Sequence, residues 1–116
     1  MNFNTAKNIA TAADDKKAKG IVILDVTSIS PVTDYFVICS AASTTQAKAI
    51  ADNIEEKLEE NGVSILHKEG YRDGNWILLD YGDCIANIFI EEERQFYNLE
   101  KLWSDAKIID FETANT

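Results

Sequence analysis

The sequence predicts a mixed α/β fold with a sheet of about five strands, and three observations support this prediction. Short β-branched runs such as 21–26 and 35–39 lie between turn signals. Other stretches carry apolar residues at helical spacing. No repeat, low-complexity segment or Gly/Ser linker interrupts the 116 residues, and the one proline, Pro31, lies in the loop 27–33. The pattern therefore predicts a single domain over residues 1–116.

The chain begins with a predicted helix and two predicted strands. The helix, over about residues 5–17, is followed by Gly20 as a stop signal. The runs 21–26 and 34–40 are apolar, β-branched and too short for helices, which predicts buried strands in a central position. The apolar residues of the helix repeat at helical spacing and are Ala6, Ile9, Ala10 and Ala13.

The segment 43–62 carries the clearest helical pattern in the chain. It begins with a capping-box sequence from Ser43 to Gln46 and ends at Asn61-Gly62, a common C-terminal stop. Because a helix here connects strands, at least one strand pairing should be parallel.

In the second half of the chain, the sequence pattern predicts an antiparallel meander followed by a last helix. Strands at about 64–68, 75–80 and 84–90 are joined by short turns, which favours antiparallel pairing. A last helix is predicted over 92–106, and about 107–116, polar after Phe111, is expected to be a flexible tail. The apolar residues of this helix are Phe96, Leu99, Leu102 and Trp103.

The charge balance limits the classes of partner. The chain has 20 acidic and 11 basic residues, a formal net charge of −9. Such a field repels phosphate backbones and attracts basic proteins, so no direct nucleic-acid site is expected.

Cysteine usage and hydropathy indicate the compartment. Cys39 and Cys84 lie within apolar strand patterns, which predicts reduced core residues. Neither a signal-peptide pattern nor a membrane-length apolar run is seen, so a cytoplasmic location with no membrane contact is expected.

Strand alternation suggests an interaction surface. In 76–80, Trp76, Leu78 and Asp80 fall on one face and Ile77 and Leu79 on the other. Three helices cannot easily cover both faces of five strands. The face with the indole is therefore either a protein-binding surface or a core face beneath a helix.

Catalytic chemistry has weak support. Asp80 and Asp83, with Asp34 near a strand end, could bind a divalent metal, although D-x-x-D in a turn usually caps its own backbone. His67 is the only histidine, which favours a structural or surface role. The segment 40–46 could place an anion at a helix N-terminus but lacks phosphate-loop glycines. We therefore expect no enzyme activity, no metal site and no cofactor.

Three segments carry a family resemblance: T-D-Y-F-V-I at 33–38, W-x-L-L-D-Y-G-D at 76–83 and R-x-F-Y-x-L-E-x-L-W at 94–103. In this order they resemble the ribosomal silencing factor (Iojap-like) family over nearly the whole chain. The resemblance implies a fold similar to nucleotidyltransferases without their activity, since their Gly-Ser and D-x-D signature is missing here.

The resemblance also implies a function and a set of contacts. Members bind large-subunit ribosomal protein fourteen, prevent the small subunit from joining and repress translation. The positions that match the family's partner-binding strand and its other motif are Trp76, Leu78, Asp80, Tyr81, Arg94, Phe96 and Tyr97.

One position departs from the family pattern. Asn87 stands where members commonly carry a histidine in this strand. Any contact or pH response that depends on that histidine does not carry over to this chain.

Two alternatives remain open at this point. A metal-dependent nucleotidyltransferase-like enzyme would use Asp34, Asp80 and Asp83 on nucleotides or RNA. A homodimer, which some family members form in isolation, would bury the same apolar strand against its own copy.

Overall fold

The computed structural model describes residues 2–97 and 106–110, which form three helices and six strands. The helices are α1 (Asn2–Asp15), α2 (Thr44–Glu60) and α3 (Glu91–Tyr97). The strands are β1 (Lys19–Asp25), β2 (Tyr35–Ala41), β3 (His67–Glu69), β4 (Trp76–Asp80), β5 (Cys84–Ile90) and β6 (Lys107–Asp110).

The strands form one mixed sheet in the order β3-β4-β5-β2-β1-β6. β2 and β5 pair in parallel, and the four other neighbouring pairs are antiparallel. The mixed α/β fold and the meander β3-β4-β5 are thus confirmed. The predicted parallel pairing is present, but its crossover contains α2, β3 and β4, because the chain returns beside β2 only at β5.

The sheet has six strands where the sequence predicted about five. The additional strand is β6, which pairs antiparallel with β1. Its residues begin the stretch 107–116 that was expected to be a flexible tail. A strand of four residues is too short to show a clear alternation of apolar and polar residues. Its partner strand lies more than eighty positions earlier in the chain, so no local signal indicates the pairing. The predicted helix 92–106 is described as helix to Tyr97, and 98–105 and 111–116 lie outside the described residues.

The start and end of α2 follow from short-range chemistry. The Ser43 hydroxyl accepts a hydrogen bond from the Gln46 N–H at 3.1 Å, as an N-cap should. The Gln46 side chain binds the Ala42 N–H at 2.6 Å, one residue before the position that a capping box would use. Its amide also donates to the Lys16 and Lys17 carbonyls, which fixes the end of α1 beside α2. Gly62, at φ +79°, follows the last turn.

Helices α1 and α2 cover one face of the sheet, where the main core lies. Cys39 and Cys84 are buried there as free thiols, as predicted. The other large core residues of this face include Ile9, Ile23, Ile50, Ile54, Leu58, Ile77, Leu79 and Ile88, all fully buried. Their burial provides most of the hydrophobic stabilisation of the fold.

The opposite face has a smaller cluster at its centre. Leu24, Val26, Ile38 and Phe89 are fully buried, and partly buried side chains surround them: Val22, Phe36, Trp76 and Ala106. The centre of this second face is therefore not open to solvent. Apolar side chains remain accessible toward its edges, at Trp76 and Leu78 of β4 and at Ile108 of β6.

Candidate functional site: a protein-docking face

Strand β4 presents three side chains on the second face, as its alternation predicted. Trp76, Leu78 and Asp80 are each half-buried, whereas Ile77 and Leu79 are fully buried under the helices. We call the second-face surface of β3, β4 and the adjoining residues of β5 and β2 the docking face. Its partial exposure is typical of a surface that a partner completes.

Trp76 is held in place by two neighbours on β5. Its indole N–H donates to Asn87 Oδ1 at 3.0 Å, and its ring stacks on Phe89 with centroids 4.8 Å apart and planes at 28°. Both contacts stabilise one side-chain orientation. The exposed part of the indole therefore has a fixed orientation.

Asn87 has a structural role in this chain. The residue is 2% exposed, and its Oδ1 satisfies the indole donor. Within the described residues its Nδ2 has no hydrogen-bond partner, although it is buried. Asn87 is thus a side chain that orients Trp76.

Two rows of side chains cross the docking face from β3. One row runs Glu69, Leu78, Asn87, and the next runs His67, Asp80, Ile85, Phe36. Ile85 and Phe36 are half-buried and extend the apolar area beyond β4. Their position beside Asp80 depends on the pairing register of β4, β5 and β2, which the local sequence pattern does not determine.

A pocket of about 190 Å³ opens beside Trp76. Glu69, Gly70, Trp76 and Leu78 line it. The Glu69 carboxylate binds His67, with Oε2 and Nε2 2.6 Å apart. Glu69 and Gly70 were not among the predicted contacts. The signal that could have found them is the predicted antiparallel hairpin, because it places the end of β3 beside the start of β4.

Of the candidate metal-binding residues, Asp80 uses its carboxylate in a turn and Asp83 and Asp34 are joined through their backbones. Asp80 Oδ1 accepts the Gly82 N–H at 2.8 Å, and the Asp83 carbonyl accepts the Asp34 N–H at 3.0 Å. Among the described residues no group of three His, Cys, Asp or Glu side chains is arranged to hold a metal ion. The Asp80 carboxylate therefore caps its own turn, as the first Asp of a D-x-x-D turn commonly does.

Tyr81 does not belong to the docking face. It is 8% exposed and packs with the main core under the helices. Burial raises the pKa of its phenol, which stays protonated. Tyr81 and Trp76 lie on opposite faces, because the alternation that separates Trp76 from Ile77 also assigns position 81 to the covered face.

Arg94 joins α3 to the sheet. Its guanidinium donates to the Gly20 carbonyl at 2.6 Å and to the Ser40 hydroxyl at 3.0 Å. Gly20 has φ +56°, and a Cβ there would lie 2.8 Å from the guanidinium. Arg94 thus binds within the chain. The side chains of Phe96 and Tyr97, the two other predicted contacts, lie outside the described residues.

No helix in residues 2–97 and 106–110 combines the length and apolarity that crossing a membrane requires.

Comparisons with known proteins agree with this architecture. The profile of the family described as "Ribosomal silencing factor during starvation" matches residues 2–116. A ribosomal silencing factor of Bacillus subtilis is 44% identical over 113 residues, covering 97% of this chain and 96% of the relative. The chloroplastic protein Iojap of Zea mays is 33% identical over 105 residues, 90% of this chain and 46% of that protein.

Solved structures show the same fold. A crystal structure of a protein from Chromobacterium violaceum matches with a TM-score of 0.88 and 31% identity, over 90% of this chain and 87% of that one. A second, from Bacillus halodurans, has a TM-score of 0.79 and 39% identity, over 89% and 93% of the two chains. With the sequence match over nearly its whole length, the chain belongs to the ribosomal silencing factor family.

Proposed function

We propose that this protein acts in the cytoplasm, without catalysis, by docking on the large ribosomal subunit through ribosomal protein fourteen. The docked domain blocks the small subunit sterically and so represses translation. The observation that carries the proposal is the half-buried pair Trp76 and Leu78, which form an apolar area beside carboxylates on the docking face.

The composition of the docking face favours a protein partner. Buried aromatic anchors supply much of the binding energy in protein interfaces. Trp76 is already oriented by Asn87 and Phe89, so little side-chain entropy is lost when a partner covers it. The net charge of −9 favours encounter with a basic ribosomal protein over bare RNA.

The steric part of the proposal rests on size. The principal extents of the fold are 34 × 33 × 29 Å. A rigid body about 30 Å across, held on the joining surface of one subunit, leaves no room for direct contact with the other at that place. Repression then requires binding alone and no chemical step.

Co-sedimentation with separated subunits tests the docking step. We expect the protein to pellet with large subunits and to stay in the supernatant with small ones. Trp76→Ala should weaken binding about thirtyfold, because truncating an aromatic anchor costs on the order of 2 kcal/mol. A subunit-joining assay should show inhibition by the wild-type protein and much less by this variant.

Ile108→Ala is the matched control. Ile108 is an apolar side chain, 57% exposed, on the same face but at the opposite edge of the sheet. Circular dichroism must show that both variants are folded. The proposal fails if the wild-type protein does not pellet with large subunits, or if Trp76→Ala pellets as well as Ile108→Ala.

A further inference from the structure

We propose that the pocket beside Trp76 binds an arginine side chain of the ribosomal partner. This inference rests on the proposed docking and specifies one contact within it. The pocket is the recess of about 190 Å³ between β3 and β4, lined by Glu69, Gly70, Trp76 and Leu78.

The backbone of Gly70 shapes one wall of the pocket. Gly70 has φ +77°, and a Cβ at this position would overlap the Trp76 carbonyl oxygen. The positive φ and this overlap both exclude a side chain at position 70. The connection from β3 therefore passes close against Trp76.

Glu69 supplies the charge of the pocket. Its side chain is 67% exposed, and its bond to His67 uses Oε2. Within the described residues, Oε1 accepts no hydrogen bond. The neighbouring Lys68 extends to the other side of the sheet and binds Glu55 of α2 at 3.0 Å, so it does not neutralise Glu69.

The side chains that line the pocket favour one type of bound side chain over others. An apolar side chain would cover the Glu69 carboxylate without supplying a donor, which carries a desolvation penalty. An acidic side chain would be repelled. Arginine has an apolar stem for Leu78, a planar cation that can lie against the Trp76 indole, and charged donors for Oε1 of Glu69.

A titration of the full chain tests the pocket without the ribosome. The probes are N-acetyl-arginine amide and its neutral isostere N-acetyl-citrulline amide, followed by the NMR signal of the Trp76 indole N–H, assigned with Trp76→Phe. A ligand of this size should bind with a dissociation constant on the order of millimolar. We expect citrulline to bind at least about tenfold more weakly, because it lacks the charge-assisted bond.

Glu69→Gln should remove the preference for arginine, whereas Glu60→Gln should keep it. Glu60 is an exposed carboxylate at the end of α2, so this control changes the net charge equally. Equal responses to the two probes, or a preference that survives Glu69→Gln, would overturn the inference.

Co-sedimentation separates this inference from the proposed function. Glu69→Gln should weaken binding to large subunits about tenfold and make it less sensitive to salt, with Glu60→Gln unchanged. If wild-type protein pellets with large subunits but Glu69→Gln matches it, the docking stands and the arginine contact is wrong. If wild-type protein does not pellet while the titration shows arginine selectivity, the docking is wrong and the pocket remains a guanidinium site.

Discussion

Trp76 and Asn87 lie diagonally across the antiparallel pair β4-β5, and the indole of one donates to the amide oxygen of the other at 3.0 Å. The bond satisfies the indole donor beside the apolar ring of Phe89. It fixes the orientation of the residue on which the docking proposal depends.

Replacing Asn87 with leucine should destabilise the fold and disorder the indole. The substitution keeps the branching of the side chain at Cγ but leaves the indole N–H without this acceptor, which should lower the free energy of unfolding by about 1–2 kcal/mol. Trp76→Phe removes the donor. In urea unfolding the double variant should lose about 1 kcal/mol less than the sum of the single variants. Additive losses would show that the bond contributes nothing.

Arg94→Ala should destabilise the protein through α3. The guanidinium donates to the Gly20 carbonyl and the Ser40 hydroxyl, and charge-assisted bonds of this kind contribute about 1.5–3 kcal/mol, less where solvent screens them. Urea unfolding measures the loss. Arg72→Ala, at an exposed arginine of the β3-β4 connection, is the control and should change stability by less than about 0.5 kcal/mol. If Arg94→Ala were as stable as wild type yet bound ribosomes poorly, Arg94 would be a direct contact.

Asp25 should contribute to the acid stability of the fold. Hydrogen bonds from the Thr27 hydroxyl, at 2.6 Å, and then from the Thr27 N–H lower the pKa of its carboxyl below the ordinary 3.8. Because the folded pKa is the lower one, the stabilisation is complete above the ordinary value and is lost as the pH falls through the folded pKa.

Thr27→Val tests this contribution. Removing the hydroxyl should raise the pKa of Asp25, measured by NMR titration of its carboxyl carbon, and should reduce the loss of stability between neutral and acidic pH. Thr11→Val is the control, since the Thr11 hydroxyl donates to a helix carbonyl and to no carboxylate. An unchanged Asp25 titration in Thr27→Val would contradict the assignment.

Both thiols should be inert in the folded protein. Burial raises the pKa of Cys39 to about 12 and that of Cys84 further, so the reactive thiolate is scarce as well as shielded. A disulfide reagent at pH 8 should react at least a hundredfold more slowly than with the urea-unfolded chain. Ser28→Cys, at an exposed loop position, should react at once. Fast reaction of the native thiols would show that the core opens readily.

Local patterns predicted the elements whose signals are contained within one segment. Helix α2 carries its own N-cap at Ser43 and its own stop at Gly62, and both act as predicted. Alternation within β4 correctly separated Trp76 and Leu78 from Ile77. Tyr81, which follows β4, lies on the covered face because strand geometry turns alternate residues to opposite faces.

Features that depend on pairing between distant segments were not visible in the sequence. Strand β6 and the position of Phe36 beside Ile85 both depend on register between strands far apart along the chain. Arg94 shows the same limit. The acceptors of its guanidinium, at positions 20 and 40, lie far from it along the chain, and nothing in the motif indicates them.

The parallel pairing of β2 with β5 has a consequence for how the protein is made. Tyr35 and Cys84, which face each other, are separated by 49 positions along the chain, and closing so long a loop is slow. During synthesis the indole emerges before Asn87 and Phe89, the side chains that hold it. A polypeptide that stops short of β5 carries the anchor without its supports and lacks the central strand of its sheet. Incomplete copies are therefore expected to be inactive, which protects translation from inhibition by fragments.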